Sequence, residues 1–137
     1  MKLSLKVEYA CQVLAQLGHT FGKAELPHID ELAQAESIPA NYLVQILNEL
    51  RNSGLIVSRR GKMGGYALAR EPRAISMLDI VRAVDGDVLE LSGEGTGASG
   101  ARTHAIWRGI AKGLSENLRR HTVDDLMQAA AHEMYYI

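Results

Sequence analysis

The chain has 137 residues, 47% of them hydrophobic and 23% charged, with one cysteine and a formal net charge of -1 at pH 7. This length buries one ordinary core without staples, and a single cysteine can form neither an internal disulfide nor a cysteine-only metal site. No apolar run approaches the roughly 20 residues that cross a bilayer, and Met1-Lys2-Leu3-Ser4-Leu5-Lys6 lacks a secretion-signal core, so a cytoplasmic protein with no membrane partner is expected.

Val7, Ala10, Cys11, Leu14 and Leu17 recur at helical spacing, and Gly18 offers a stop, which predicts an amphipathic first helix. A short second helix is predicted from Pro27 through Ile29, Leu32 and Ala33, with Asp30 and Glu31 in its first turn complementing the helix dipole. Pro39 then opens a third helix to about Asn52, closed by Ser53-Gly54. Two helices joined by so short a link make a helix-turn-helix.

After Gly54 the pattern changes. Leu55-Ile56-Val57 and Tyr66-Ala67-Leu68 are extended candidates on either side of Arg59-Arg60-Gly61-Lys62-Met63-Gly64-Gly65, which predicts a β-hairpin wing with a basic, glycine-rich tip. Ser76 caps a further helix through Met77, Leu78, Ile80 and Val81, ending near Asp85-Gly86. Residues 86-100 contain five glycines and are expected to form a flexible loop. A long helix follows from about Ala101 to Arg120, where Ile106, Ile110, Leu114 and Leu118 stand four apart beside Trp107 and Ala111 and need a cover. A last short helix starts at the cap Thr122, with Asp125 three residues on and Leu126, Met127, Ala129 and Ala130 behind it.

The expected fold is mostly α with a small β-hairpin: a winged helix-turn-helix with a long C-terminal dimerisation helix. Its parts are a DNA-binding domain at 1-85, the loop at 86-100, and the dimerisation and C-terminal helices at 101-137.

Charge is segregated along this order. Residues 24-50 carry five acids and no Lys or Arg; residues 51-73 carry Arg51, Arg59, Arg60, Lys62, Arg70 and Arg73 against Glu71 alone; residues 74-99 return to acid. A local basic face suits a polyanion better than the total charge does, although on charge alone a solvated surface strand fits too.

The third helix separates the two. At about 100° per residue, Leu43, Ile46, Leu47 and Leu50 fall on one side, while Asn41, Gln45, Asn48 and Asn52 fall on the other. Exposed helix faces usually carry Glu and Lys, and Asn is a poor helix former. Amide side chains, by contrast, pair bidentately with adenine N6 and N7 in the major groove. The stripe therefore reads as a base-reading face, and Arg59, Arg60 and Lys62 on the wing suit the negative potential of a narrow minor groove.

In this order the residues resemble the IscR-type family of winged-helix transcription regulators, which includes IscR, NsrR and CymR. The carriers are Met1-Lys2-Leu3-Ser4 with Tyr9-Ala10, Ile38-Pro39-Ala40-Asn41-Tyr42-Leu43, and Leu50-Arg51-Asn52-Ser53-Gly54-Leu55-Ile56. They continue through Arg60-Gly61, Gly64-Gly65-Tyr66, Ile75-Ser76, Asp79-Ile80, Ala83-Val84-Asp85-Gly86, Thr103-His104-Ala105-Ile106-Trp107 and Thr122-Val123-Asp124-Asp125-Leu126. The resemblance implies a homodimer that crosses its long helices and binds double-stranded DNA at an inverted repeat. It places Asn41 at a base or phosphate contact and Arg60 at a minor-groove contact. With the residue pattern, it makes Asn41, Tyr42, Gln45, Asn48, Arg51, Arg59, Arg60 and Lys62 the DNA-binding set, and Ile106, Trp107, Ile110, Leu114 and Leu118 the dimerisation set.

Three departures qualify it. Val44 stands where IscR has a glutamate that selects between operators. The wing tip has Lys62-Met63 in place of the family's proline and one glycine. Many members hold an iron-sulfur cluster with three cysteines before the Thr-His-Ala-Ile-Trp segment, whereas residues 89-101 here contain none. His104 matches a ligand position and Glu8 lies near another, but clusters are held chiefly by thiolates, so no cofactor and no metal are expected. Cys11 reads as a buried small hydrophobe.

Gly95-Thr96-Gly97-Ala98-Ser99-Gly100 fits a dinucleotide-binding pattern, but no βαβ unit follows it. The five histidines form no zinc-binding pair, and no nucleophile elbow is present, so an enzyme is not expected. The leading expectation is a homodimeric DNA-binding repressor whose state is changed by a small-molecule effector, a protein effector or a thiol, and not by a cluster. The alternative is a winged-helix protein-interaction module that has lost DNA binding, supported by the acidic stretch at 24-50.

Overall fold

Three helices and a hairpin build the head. The computed structural model describes residues 2-128. Its elements are α1 (Leu5–His19), α2 (Ile29–Glu36), α3 (Ala40–Asn52), β1 (Ile56–Arg59), β2 (Gly65–Leu68), a 3-10 turn at Pro72–Ala74, α4 (Met77–Val84), α5 (Gly100–Arg120) and α6 (Val123–Met127). This is the winged helix-turn-helix with a long following helix that the periodicities predict. Ala129 and Ala130, expected on the last helix, lie outside the described residues.

Local hydrogen bonds set the starts of α1, α4 and α6. The Ser4 hydroxyl accepts from the Val7 N–H at 3.2 Å and caps α1. Ser76 and Asp79 cap α4 reciprocally: Ser76 Oγ accepts from Asp79 N–H at 3.1 Å, and the Asp79 carboxylate accepts from Ser76 N–H at 2.9 Å. The Asp125 carboxylate accepts from Thr122 N–H at 2.9 Å before α6. At the end of α3, Gly54 takes φ 78°, which lets the Leu55 N–H turn back onto the Leu50 carbonyl oxygen at 3.0 Å.

The apolar faces of α1, α3 and α4 meet in one core that includes Leu14, Leu17, Leu43, Ile46, Leu47, Leu50 and Ile80, all fully buried. Truncating one such leucine to alanine costs about 2–5 kcal/mol, so the buried side of α3 anchors it firmly and leaves its other side free for function.

The structure adjusts several boundaries. Helix α1 runs past Gly18 to His19, and Gly18 is buried inside it because the Met127 side chain packs where a Cβ would stand. Gly18 is therefore a point of close approach for α6 and not a stop. Arg59 lies within β1, paired with Gly65, so the tip of the wing is Arg60 to Gly64. Gly100, expected at the end of the loop, is the first residue of α5; residues 86-99 contain no helix or strand, yet Val88 packs against the core and Gly95 lies against the His104 ring.

Two links join the long helix to the head. Ser76 bridges to Thr122, with Met77 N–H on the His121 carbonyl oxygen at 2.8 Å and Val123 N–H on the Ile75 carbonyl oxygen at 3.0 Å. These bonds deliver α6 onto α1 and the 3-10 turn.

Candidate nucleic-acid interface

Helix α3 is divided as its sequence predicts. Leu43, Ile46, Leu47 and Leu50 are buried, while Asn41, Val44, Gln45, Asn48 and Asn52 are exposed. No acid lies in its first turn, where the leading N–H groups of a helix lack intrahelical partners and carry the positive end of the dipole. Its one carboxylate, Glu49, is half-buried and pairs with Lys6 of α1 at 3.1 Å. Tyr42 is half-buried: its ring meets that of Tyr9 edge-on, 5.6 Å between centroids and 78° between planes. One side of Tyr42 thus supports the core, unlike the exposed amides.

Arg51 joins helix to wing. Its guanidinium donates to Asn48 Oδ1 at 3.0 Å and to Ser58 Oγ of β1 at 3.4 Å. The amide stripe and the wing are consequently parts of one surface. The wing pairs Ile56 with Leu68 through to Arg59 with Gly65, and Tyr66 N–H donates to the Pro27 carbonyl oxygen at 2.9 Å, which ties β2 to the segment before α2.

The basic stretch separates into two groups. Arg70 lies 4.0 Å from Asp79 and Arg73 lies 3.8 Å from Asp124, so each of these two cations has a carboxylate neighbour in the chain itself. Arg51, Arg59, Arg60 and Lys62 have no carboxylate partner among the described residues, and all four are exposed. An unpaired cationic edge beside an amide-rich helix is suited to neutralising phosphates while side chains reach base edges.

A second surface lies on α5. None of its residues is buried in the chain; Ile106, Trp107, Ile110 and Leu114 are 38% to 55% exposed. Leu118 differs, since it is half-buried and packs on the chain's own core. Helix α6 covers α1 and leaves this stripe open.

Residues with metal-binding chemistry stay dispersed. Cys11 is half-buried against the core, and burial, followed by the nearby Glu8 carboxylate, pushes its thiol up to about 11. His104 is half-buried beneath the glycine loop. Among the described residues no three His, Cys, Asp or Glu side chains gather as a metal site. With one cysteine in the whole chain, this donor set does not fit an iron-sulfur cluster.

The chain has relatives along nearly its whole length. Residues 3–129 match the Rrf2 family, described as iron-dependent transcriptional regulators. Rv1287 of Mycobacterium tuberculosis, named as an HTH-type transcriptional regulator, is 36% identical, over 97% of this chain and 85% of that protein. The regulator CymR of Bacillus subtilis is 31% identical over the full length of both chains. The solved structure of CymR, the global cysteine regulator of B. subtilis, superposes with a TM-score of 0.80 over 94% of this chain and 98% of that one, at 29% identity. That of T. potens IscR gives 0.75 over 95% and 88%, at 32% identity. With its helix-turn-helix, wing and long α5, the chain belongs to the Rrf2 family of transcriptional regulators and is not an enzyme.

Proposed function

We propose that two copies of the chain bind an inverted-repeat operator in the cytoplasm and repress transcription by occupying it. The observation that carries this reading is the continuous exposed surface made by the α3 amides and the four unpaired cations Arg51, Arg59, Arg60 and Lys62. In this reading Asn41, Gln45 and Asn48 read the major groove, with Tyr42 and Arg51 at its border. Arg59, Arg60 and Lys62 engage the minor groove and phosphates. The stripe Ile106, Trp107, Ile110 and Leu114, extended by Leu118, joins the two protomers and sets the half-site centres about one helical turn apart.

The signal in this reading is not an iron-sulfur cluster, despite the family's description, because a lone, half-buried thiol supplies too few soft ligands. A small molecule or partner protein is the effector instead. The open cleft lined by Leu89, Glu90, His104 and Arg108, between the glycine loop and α5, is where ligand contacts could bias the spacing of the two heads.

Selection of bound sequences from random duplex DNA tests the reading. The expected result is an inverted repeat whose affinity falls steeply with salt. Gln45→Ala should relax base preference and Arg60→Ala should weaken discrimination against G·C, each by roughly 1–3 kcal/mol. Failure to enrich any duplex would favour the protein-interaction module.

A further inference from the structure

The tip of the wing carries an apolar side chain where a turn ordinarily carries a polar one. Gly61, Lys62, Met63 and Gly64 form a turn closed by the Gly64 N–H on the Gly61 carbonyl oxygen at 3.0 Å, with Lys62 and Met63 at its two corners. Turn corners favour Gly, Pro, Asn, Asp and Ser. Met63 is instead 59% exposed and stands beside two cations, Arg60 and Lys62, that have no carboxylate partner among the described residues.

The base of the wing is held rigidly enough for the tip to act on a partner. Gly65 lies so close to the Leu26 and Pro27 carbonyls that a Cβ would collide with them, and Tyr66 N–H is bonded to the Pro27 carbonyl oxygen. Gly64 has the Arg59 backbone where its own Cβ would stand, which fixes the return of the chain after the corner. Pressure on Met63 is thus resisted by backbone contacts to the head.

Resting on the DNA-binding reading above, we propose that Met63 is a minor-groove wedge whose side chain enters a base step under the wing, partly unstacks it and bends the duplex toward the major groove. The flanking cations draw the tip into the groove, and the long unbranched thioether can follow an irregular gap between base edges. The partner recognised in this way is a duplex with a flexible pyrimidine–purine step, TA above all, at the wing position, because such steps unstack at least cost. Met63 therefore specifies sequence through deformability, independently of the amides on α3.

The test uses full-length protein and a duplex recovered by selection, with 2-aminopurine at the step under the wing and phased copies for electrophoretic bend analysis. The wild type should raise the 2-aminopurine fluorescence and bend the duplex by about 20° or more. It should prefer TA over AA at that step by about tenfold. Because Met63 is exposed, Met63→Ala should fold normally, lose the bend and the step preference, and keep the salt dependence of binding. Met63→Leu, which keeps an apolar wedge, should retain both. Arg60→Ala should lower the salt slope by about one. A bound duplex that is unbent and fully stacked, or a Met63→Ala complex with the wild-type bend and step preference, overturns the wedge while leaving the regulator reading intact. Failure of the wild type to bind any duplex would instead overturn the regulator reading.

Discussion

Lys6 of α1 pairs with Glu49 of α3, Nζ to Oε1 at 3.1 Å, and the same ammonium donates to the Val84 carbonyl oxygen at the end of α4 at 3.4 Å. One cation thereby ties three helices together and offsets the only carboxylate on α3. The other carboxylate oxygen, Glu49 Oε2, is buried without a hydrogen-bond partner among the described residues.

Lys6→Met should lower DNA affinity more than stability. The pair is partly exposed, with side chains 28% and 37% accessible, so its loss should cost only about 0.5–1 kcal/mol in urea unfolding. The uncompensated Glu49 charge would then make the potential around α3 more negative and so oppose a polyanion, and the double variant Lys6→Met with Glu49→Gln should recover most of the affinity. Equal affinities for wild type and Lys6→Met would show that the pair has no electrostatic part in binding.

Ile110→Arg should yield a folded monomer. Ile110 is 46% exposed on α5, so an arginine there leaves the chain's own core intact but would bury an unpaired charge between two protomers. Sedimentation should give the protomer mass with an unchanged circular dichroism spectrum and greatly weakened operator binding. A dimer mass for this variant would place the interface elsewhere.

Gly65→Ala should detach the wing. Gly65 has φ 143°, and a Cβ would stand 2.5 Å from the Pro27 carbonyl oxygen and 2.8 Å from that of Leu26, both backbone atoms with little freedom to yield. A stability loss of about 1–3 kcal/mol is expected, with a larger proportional loss of DNA affinity than the stability change alone explains. Full affinity in a folded Gly65→Ala protein would mean that the wing's anchorage is unimportant.

Cys11 should be a slow thiol. Its pKa of about 11 against an ordinary 9.0 leaves, well below both, about a hundredfold less thiolate than in the unfolded chain. Iodoacetamide should therefore react far more slowly with native protein than with urea-unfolded protein at pH 8, and the native rate should climb with pH up to about 11. Matching rates would show a more accessible thiol and make redox sensing by Cys11 worth pursuing.

Where a physical signal is local, the sequence alone was enough. The alternation of leucine and amide faces on α3 follows from helical spacing, and the caps at Ser76 and Thr122 follow from short-range hydrogen bonds. The glycine-rich tip announced the wing. Each of these depends on residues close together in the chain.

Tertiary structure decided what depends on distant neighbours. Six cations within 23 residues look alike in sequence, yet Arg70 and Arg73 find Asp79 and Asp124 while Arg51, Arg59, Arg60 and Lys62 do not, which depends on how the segments pack. Gly18 reads as a helix stop until α6 folds back and sets Met127 against it. Leu118 matches Ile110 and Leu114 in spacing, but the bridge between Ser76 and Thr122 draws the end of α5 onto the head and half-buries it, leaving the preceding turns uncovered. Helical period tells which side chains share a face; only the path of the rest of the chain determines whether that face is already covered.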